Sequence, residues 1–110
     1  MANVYKILGQ SSPAATTETV LYTVPSATST VCSSIIICNR GTAAVNFRVS
    51  LSQGGATPTA NKDYIYYDVM IAGNDTFVAT IGVTLATTDV VRVYSGNSSL
   101  SFQLFGTEIS

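Results

Sequence analysis

The sequence predicts an all-β protein, an antiparallel β-sandwich of about eight strands, and three observations lead there. Apolar and polar residues alternate with period two along several stretches, while a period of 3.6 persists nowhere. The chain is dense in Val, Ile, Thr, Tyr and Phe and lacks long runs of Glu, Lys, Leu and Ala, so local preference favours pleated over helical backbone. Turn-forming pairs punctuate these stretches at near-regular spacing, as in sandwiches and barrels. The 110 residues are enough for one core and leave no room for a second, so residues 1–110 are read as a single domain. Jelly-roll and immunoglobulin-like connectivities both fit this pattern, which does not order the strands.

The first predicted strand is Asn3 to Gly9, followed by a loop from Gln10 to Thr17 that holds Pro13. A second runs from about Glu18 to Val24 and is closed by the turn pair Pro25-Ser26. Thr30 to Cys38 is the most apolar segment. Strict alternation puts Val31, Ser33, Ile35 and Ile37 on one face and Cys32, Ser34, Ile36 and Cys38 on the other, both largely buried, as in a central strand. Asn39 to Thr42 is a predicted tight turn, because Asn and Gly tolerate positive φ. In the next strand Val45, Phe47, Val49 and Leu51 point to a core, and Asn46, Arg48 and Ser50 point outward.

Ser52 to Asn61 is the longest predicted loop, rich in small residues and holding Gly54-Gly55 and Pro58. Lys62 to Ile71 follows as a strand with Ile65, Tyr67, Val69 and Ile71 on the core face and Tyr64, Tyr66 and Asp68 on the other. Ala72 to Asp75 turns the chain, after which Phe77, Ala79 and Ile81 alternate inward. Gly82 to Thr88 reads as irregular, with Val83 and Leu85 adding a short strand or bulge. Asp89 to Ser95 and Ser98 to Gly106 are the last strands, separated by Gly96-Asn97; Leu100, Phe102 and Leu104 share one face.

Composition narrows the function classes. Hydrophobic residues make up 46% of the chain but charged residues only 10%, against roughly 25% in a typical soluble protein. Ser and Thr fill about a quarter of the positions. A neutral, hydroxyl-rich surface repels its own copies weakly and favours association. The basic residues Lys6, Arg40, Arg48, Lys62 and Arg92 are scattered, so no stripe exists for phosphate, and neither nucleic acid nor anionic lipid is an expected partner. No apolar run reaches the roughly 18 to 20 residues of a membrane span. The first residues lack the apolar stretch of a secretory signal, so synthesis and use without signal-peptide export is expected. Cys32 and Cys38, about 20 Å apart along a straight strand, are too distant for a disulfide and read as small buried hydrophobes.

No constellation for catalysis, metal or cofactor is expected. The chain has no histidine, which removes the usual general base and the commonest zinc ligand. Asp63, Asp75 and Asp89 stand at predicted strand starts, where Asp commonly bonds turn backbone, and a glycosidase-type carboxylate pair is the weaker reading. Gly54-Gly55 is followed by neither Lys nor a helix, so it is a flexible loop rather than a phosphate cradle. The cluster Tyr64-Ile65-Tyr66-Tyr67 stands out. With Tyr64 and Tyr66 facing outward, the candidate interface residues are Tyr64, Tyr66 and Tyr94, set against ordinary cross-strand packing and against stacking on a sugar ring.

Leu21-Tyr22-Thr23-Val24-Pro25, Val31 through Asn39-Arg40, Tyr66-Tyr67-Asp68, Asn74-Asp75-Thr76-Phe77 and Leu100-Ser101-Phe102 form an ordered set. Over roughly residues 20 to 109 that set resembles small virion structural proteins of tailed bacteriophages, cyanophage-like ones especially. The resemblance implies a non-enzymatic subunit of a particle assembled in the host cytoplasm, with no catalytic residues. It implies homo-oligomers and contacts with other virion proteins, of capsid or tail. An exposed accessory component such as a capsid decoration protein is the leading expectation. A tail, neck or baseplate subunit is the alternative in the same class, and a receptor- or carbohydrate-binding adhesion module the alternative in another.

Overall fold

The computed structural model describes residues 2–110. Eight strands form: β1 (Asn3–Ser11), β2 (Thr19–Thr23), β3 (Ser29–Asn39), β4 (Val45–Ser52), β5 (Tyr64–Ile71), β6 (Thr76–Leu85), β7 (Val90–Ser95) and β8 (Leu100–Ile109). They make two four-stranded sheets, in the orders β1-β8-β3-β6 and β2-β7-β4-β5, with every pairing antiparallel. β4 pairs with β5, β3 with β6, β2 with β7 and β1 with β8. This is one long hairpin rolled on itself, with the segment between β4 and β5 at its tip. Only that link stays within a sheet; each of the others crosses from one sheet to the other. The connectivity is that of a jelly roll, which decides between the two arrangements the sequence leaves open.

The core lies between the sheets. Phe47, Phe102, Ile35, Ile37, Leu100 and Leu104 are its largest fully buried side chains. The Phe47 ring sits 5.2 Å from Phe77, tilted, and 6.3 Å from Phe102, edge to face, so one aromatic from β4 reaches both β6 and β8, the strands that flank β3 in the facing sheet. Burying each such side chain contributes about 1.5–3 kcal/mol. β4 and β8 follow the expected alternation: Val45, Phe47 and Val49 are buried, as are Leu100, Phe102 and Leu104. Leu51 is only half-buried, and Ser50, read from the sequence as outward, is 1% exposed.

Bulges change the faces of two other strands. In β3 the register with β8 slips between Cys32 and Ser34, which makes Ser33 an extra residue. Thr30 and Cys32 therefore point inward together with Ile35 and Ile37, and Val31 points outward, opposite to the strict alternation read from the sequence. Across from Ser33, Gly82 of β6 takes up the mismatch at φ +57, a conformation open to glycine without steric cost. β6 thus continues to Leu85 as one strand where the sequence reads an irregular stretch after Ile81. β5 slips twice against β4, between its partners for Phe47 and Val49 and again between those for Val49 and Ser50.

The predicted turn after β3 forms by another mechanism than positive φ. Asn39 is 1% exposed, and its side-chain nitrogen donates to the carbonyls of Ala43 (2.8 Å), Ile71 (3.1 Å) and Ala72 (3.2 Å). Its Oδ1 accepts from the Gly41 amide (3.0 Å) and the Ser99 hydroxyl (2.9 Å). One side chain thereby satisfies buried backbone groups from two loops, a requirement for any segment crossing between sheets. The long segment after β4 contains two short 3-10 turns, Gln53–Gly55 and Asn61–Asp63.

Candidate functional site

The outer face of the β2-β7-β4-β5 sheet carries a cluster built on Arg48. Alternation in β4 sends Arg48 outward, where it faces Tyr94 of β7 across the ladder. On its other side the β5 bulge sets Tyr67 and Asp68 against it, between the pairs Val49–Tyr66 and Phe47–Val69. The Arg48 guanidinium carbon lies 4.4 Å from the ring centroid of Tyr67 and 4.4 Å from that of Tyr94, so the cation sits between two aromatic rings. Its Nε donates to Asp68 Oδ1 at 2.7 Å and its Nη2 to Oδ2 at 3.3 Å, and Asn46 Nδ2 donates to Oδ1 at 3.0 Å. These bonds hold the Asp68 carboxyl below its ordinary range and keep Arg48 charged. Tyr64 completes the patch with its ring 4.9 Å from Tyr67, edge to face.

The three sequence-predicted interface residues separate here. Tyr64 is half-buried on the outer face and Tyr94 stands beside Arg48. Tyr66 points inward and packs on the core, 5.8 Å from Phe47 and 5.3 Å from Phe77. Tyr67, assigned to the core by alternation, is 57% exposed. The cause is Asp68 at φ +52: a residue in the left-handed region inside a strand inserts an extra position and reverses the faces before it. Alternation from Ile71 backward is right as far as Val69 and inverted at Tyr67 and Tyr66. The signal lay in the sequence, since Asp among the non-glycine residues tolerates this conformation best with Asn, and two adjacent tyrosines before it break any period-two pattern.

The other acids are committed to structure. Asp75 Oδ1 accepts from the Thr76 amide (2.8 Å), Asp63 Oδ2 from the Ala60 amide (2.9 Å), and Asp89 from the amides of Gly54 (2.8 Å) and Ala86 (2.9 Å). Glu18 accepts from the Thr59 hydroxyl (2.6 Å), fastening the long loop to the start of β2. Glu108 accepts from Tyr22 Oη (2.6 Å) and pairs with Lys6 Nζ (3.0 Å). Burial, then the bond to Glu108, pushes the Tyr22 phenol above its usual range, and the bonds from Tyr22 and Lys6 hold Glu108 below its own. Both cysteines are free; Cys32 is buried, which pushes its thiol up to about 11.

The opposite face of the sandwich has another character. Across the β1-β8-β3-β6 sheet the outward positions include Tyr5 and Ile7, Phe105, Ile36 and Val78, interspersed with Ser, Thr and Gln. Among the described residues no charged side chain stands on that face until its end, where Arg40 Nε donates to Ser101 Oγ at 2.8 Å. Lys6 and Glu108 belong to the inner-facing register, level with Gly106 and Thr30. The molecule thus has one face with an aromatic–cation cluster and one that is neutral and part-apolar. Comparison with protein-family models, with curated proteins and with solved structures finds no match.

Proposed function

We propose that this chain is a non-enzymatic structural subunit of a tailed-phage virion, an exposed accessory component such as a capsid decoration protein. The neutral outer face of the β1-β8-β3-β6 sheet carries this reading. Ile7, Phe105, Ile36 and Val78 form an apolar band there with no charge to be desolvated, and such bands mark contact surfaces. Ile7 and Val78 are 48% and 64% exposed in the single chain, so the band is available to a neighbour. The six acids serve turns, ion pairs and loop anchoring, so each has a structural use without invoking turnover. Many modest contacts repeated over a particle add up to a stable shell.

The test is direct. Mass spectrometry on purified virions of the phage that encodes the chain is expected to find it, and immunogold labelling is expected to mark the head. Label on the tail, neck or baseplate would move it to the alternative position in the particle. Absence from virions would remove the reading altogether.

The Arg48 cluster favours a second reading, an adhesion module for a receptor or glycan, because Tyr67 and Tyr94 are surface aromatics. Arg48 occupies one face of each ring, which leaves less open ring surface than a sugar platform requires. A glycan array on the purified protein separates the two readings.

A further inference from the structure

The sandwich has four edge strands, and three of them are blunted. β1 carries Lys6 and a bulge at Leu8. β2 is only five residues long and is preceded by Glu18. β5 is interrupted by two register shifts and carries Asp68. Short length, charge and bulges are the means by which proteins stop edges from pairing with other chains.

β6 is different. Its ten residues, Thr76–Leu85, contain no charge and no proline. Its one irregularity, the Ile81–Gly82 bulge, lies toward the far end and leaves Thr76 to Thr80 as a regular run. Five residues are about the length of an average strand, roughly 17 Å. Its outer side is unpaired, since β6 ends the sheet order. Val78, 64% exposed, stands on it. Beside this edge an open groove between the two sheets is lined by Ile65, Tyr66, Thr80, Ile81 and Val83, and Ile65 is 37% exposed there.

We infer that β6 pairs edge to edge with β6 of a second copy, antiparallel about a two-fold axis, making one eight-stranded sheet across two subunits. The unpaired amides and carbonyls of an edge ask for another extended backbone. A strand with no charge can face its own copy about a two-fold without opposing like charges, which Lys6 on β1 or Asp68 on β5 would do. An axis perpendicular to the sheet keeps the second layers of both copies on the same side. A pairing of modest strength suits a contact multiplied by copy number. The inference rests on the structural-subunit reading for its purpose and on the edge itself for its geometry.

Sedimentation velocity over a concentration series is expected to show the wild type reaching at least twice the 11.5 kDa chain mass. Val78→Lys is expected to lower that mass, and Tyr5→Lys on β1 to leave it unchanged. Cysteines placed at Thr76, Val78 and Thr80 in a Cys38→Ser background, alone and mixed in pairs, are expected to give disulfide-linked dimers under mild oxidation. Tyr5→Cys is expected to give none. This scan decides the matter if Val78→Lys does not fold. A wild type that self-associates with no link through β6, or with links equally good through Tyr5→Cys, overturns the inference and leaves the structural-subunit reading standing. A wild type that stays monomeric overturns the inference; if it is also absent from virions, that reading falls with it.

Discussion

Arg48 and Asp68 are bonded twice across the β4–β5 ladder, Nε to Oδ1 at 2.7 Å and Nη2 to Oδ2 at 3.3 Å, although strict alternation leaves Tyr67 on the wrong side for this pair to form beside it. The bulge at Asp68 makes the cluster, and the side chain and the backbone of that one residue have separable parts in it. Asn keeps the tolerance for φ +52 but loses the ion pair, whereas Val loses both. The expected order of melting temperatures is wild type, then Asp68→Asn slightly below, then Asp68→Val well below. Equal melting of the two variants would show that the backbone conformation contributes nothing.

Tyr22 and Glu108 give the fold its pH limits. The folded phenol titrates above the ordinary value of 10.0, so its contribution is complete below pH 10 and is lost as pH rises through the folded value. Glu108 and Asp68 titrate below their ordinary 4.5 and 3.8, so their contributions are complete above those values and are lost as pH falls through the folded ones. Thermal melts across pH are expected to show a plateau between, with a decline at each end. Tyr22→Phe is expected to cost about 1–2 kcal/mol at neutral pH, since Thr30 Oγ, 2.8 Å away and buried, loses its partner. The same variant is expected to flatten the alkaline decline. An unchanged alkaline limb would sink this assignment.

The buried Asn39 is a further point of fragility. Asn39→Leu, close in volume, leaves the carbonyls of Ala43, Ile71 and Ala72 and the Gly41 amide without their side-chain partner. Each buried group left unsatisfied costs about 1–3 kcal/mol, so a total loss of about 3 kcal/mol or more is expected. Urea unfolding checks it: the midpoint is expected to fall with the slope unchanged. A loss under about 1 kcal/mol would mean that water takes over the role of the carboxamide.

Where the sequence could be read and where it could not follows from the backbone. In β4 and β8 every second residue from Val45 to Val49 and from Leu100 to Leu104 is buried, because no extra residue intervenes, and hydrophobic alternation reports the faces directly. In β3 a single added residue, Ser33, exchanges the faces of everything on one side of it, and in β5 the Asp68 bulge does so until a second slip between Tyr66 and Tyr64 restores them. That is why Tyr66 and Tyr67 trade places while Tyr64 and Tyr94 lie on the outer face. The strand order was also out of reach. The ladder joining Asn3 to Ile109 links the two ends of the chain, and no local pattern encodes such a partner. Asn39 reads as a turn residue because turns are where Asn is common, and only the folded packing shows its side chain bonding two loops.

The two cysteines differ in environment. Cys32 is 1% exposed with its thiol pushed up to about 11 by burial, while Cys38 is half-buried on the neutral face. A thiol reagent at neutral pH is expected to modify Cys38 in the native protein and Cys32 only after unfolding, because both access and thiolate are withheld from it. Mass spectrometry of peptides from briefly labelled protein checks this. Equal labelling of both would mean that β3 opens readily around its bulge.

Gly106 tests that bulge from the other strand, with Gly54 as the comparison. Gly106 lies level with Cys32, just before the register slips at Ser33. A Cβ there would stand 2.1 Å from the Val31 carbonyl oxygen and 3.0 Å from the Cys32 Cα, atoms that cannot move without parting β8 from β3. Gly54, at φ +66 in the loop after β4, meets nothing within 4 Å, so alanine there carries only the cost of its conformation. Gly54→Ala is therefore expected to lose about 1 kcal/mol and Gly106→Ala at least about 2–3 kcal/mol. Chemical denaturation of the two variants side by side gives the comparison. If Gly106→Ala is as well tolerated as Gly54→Ala, the close approach of β3 to β8 at the bulge is not what fixes the faces of the central strand.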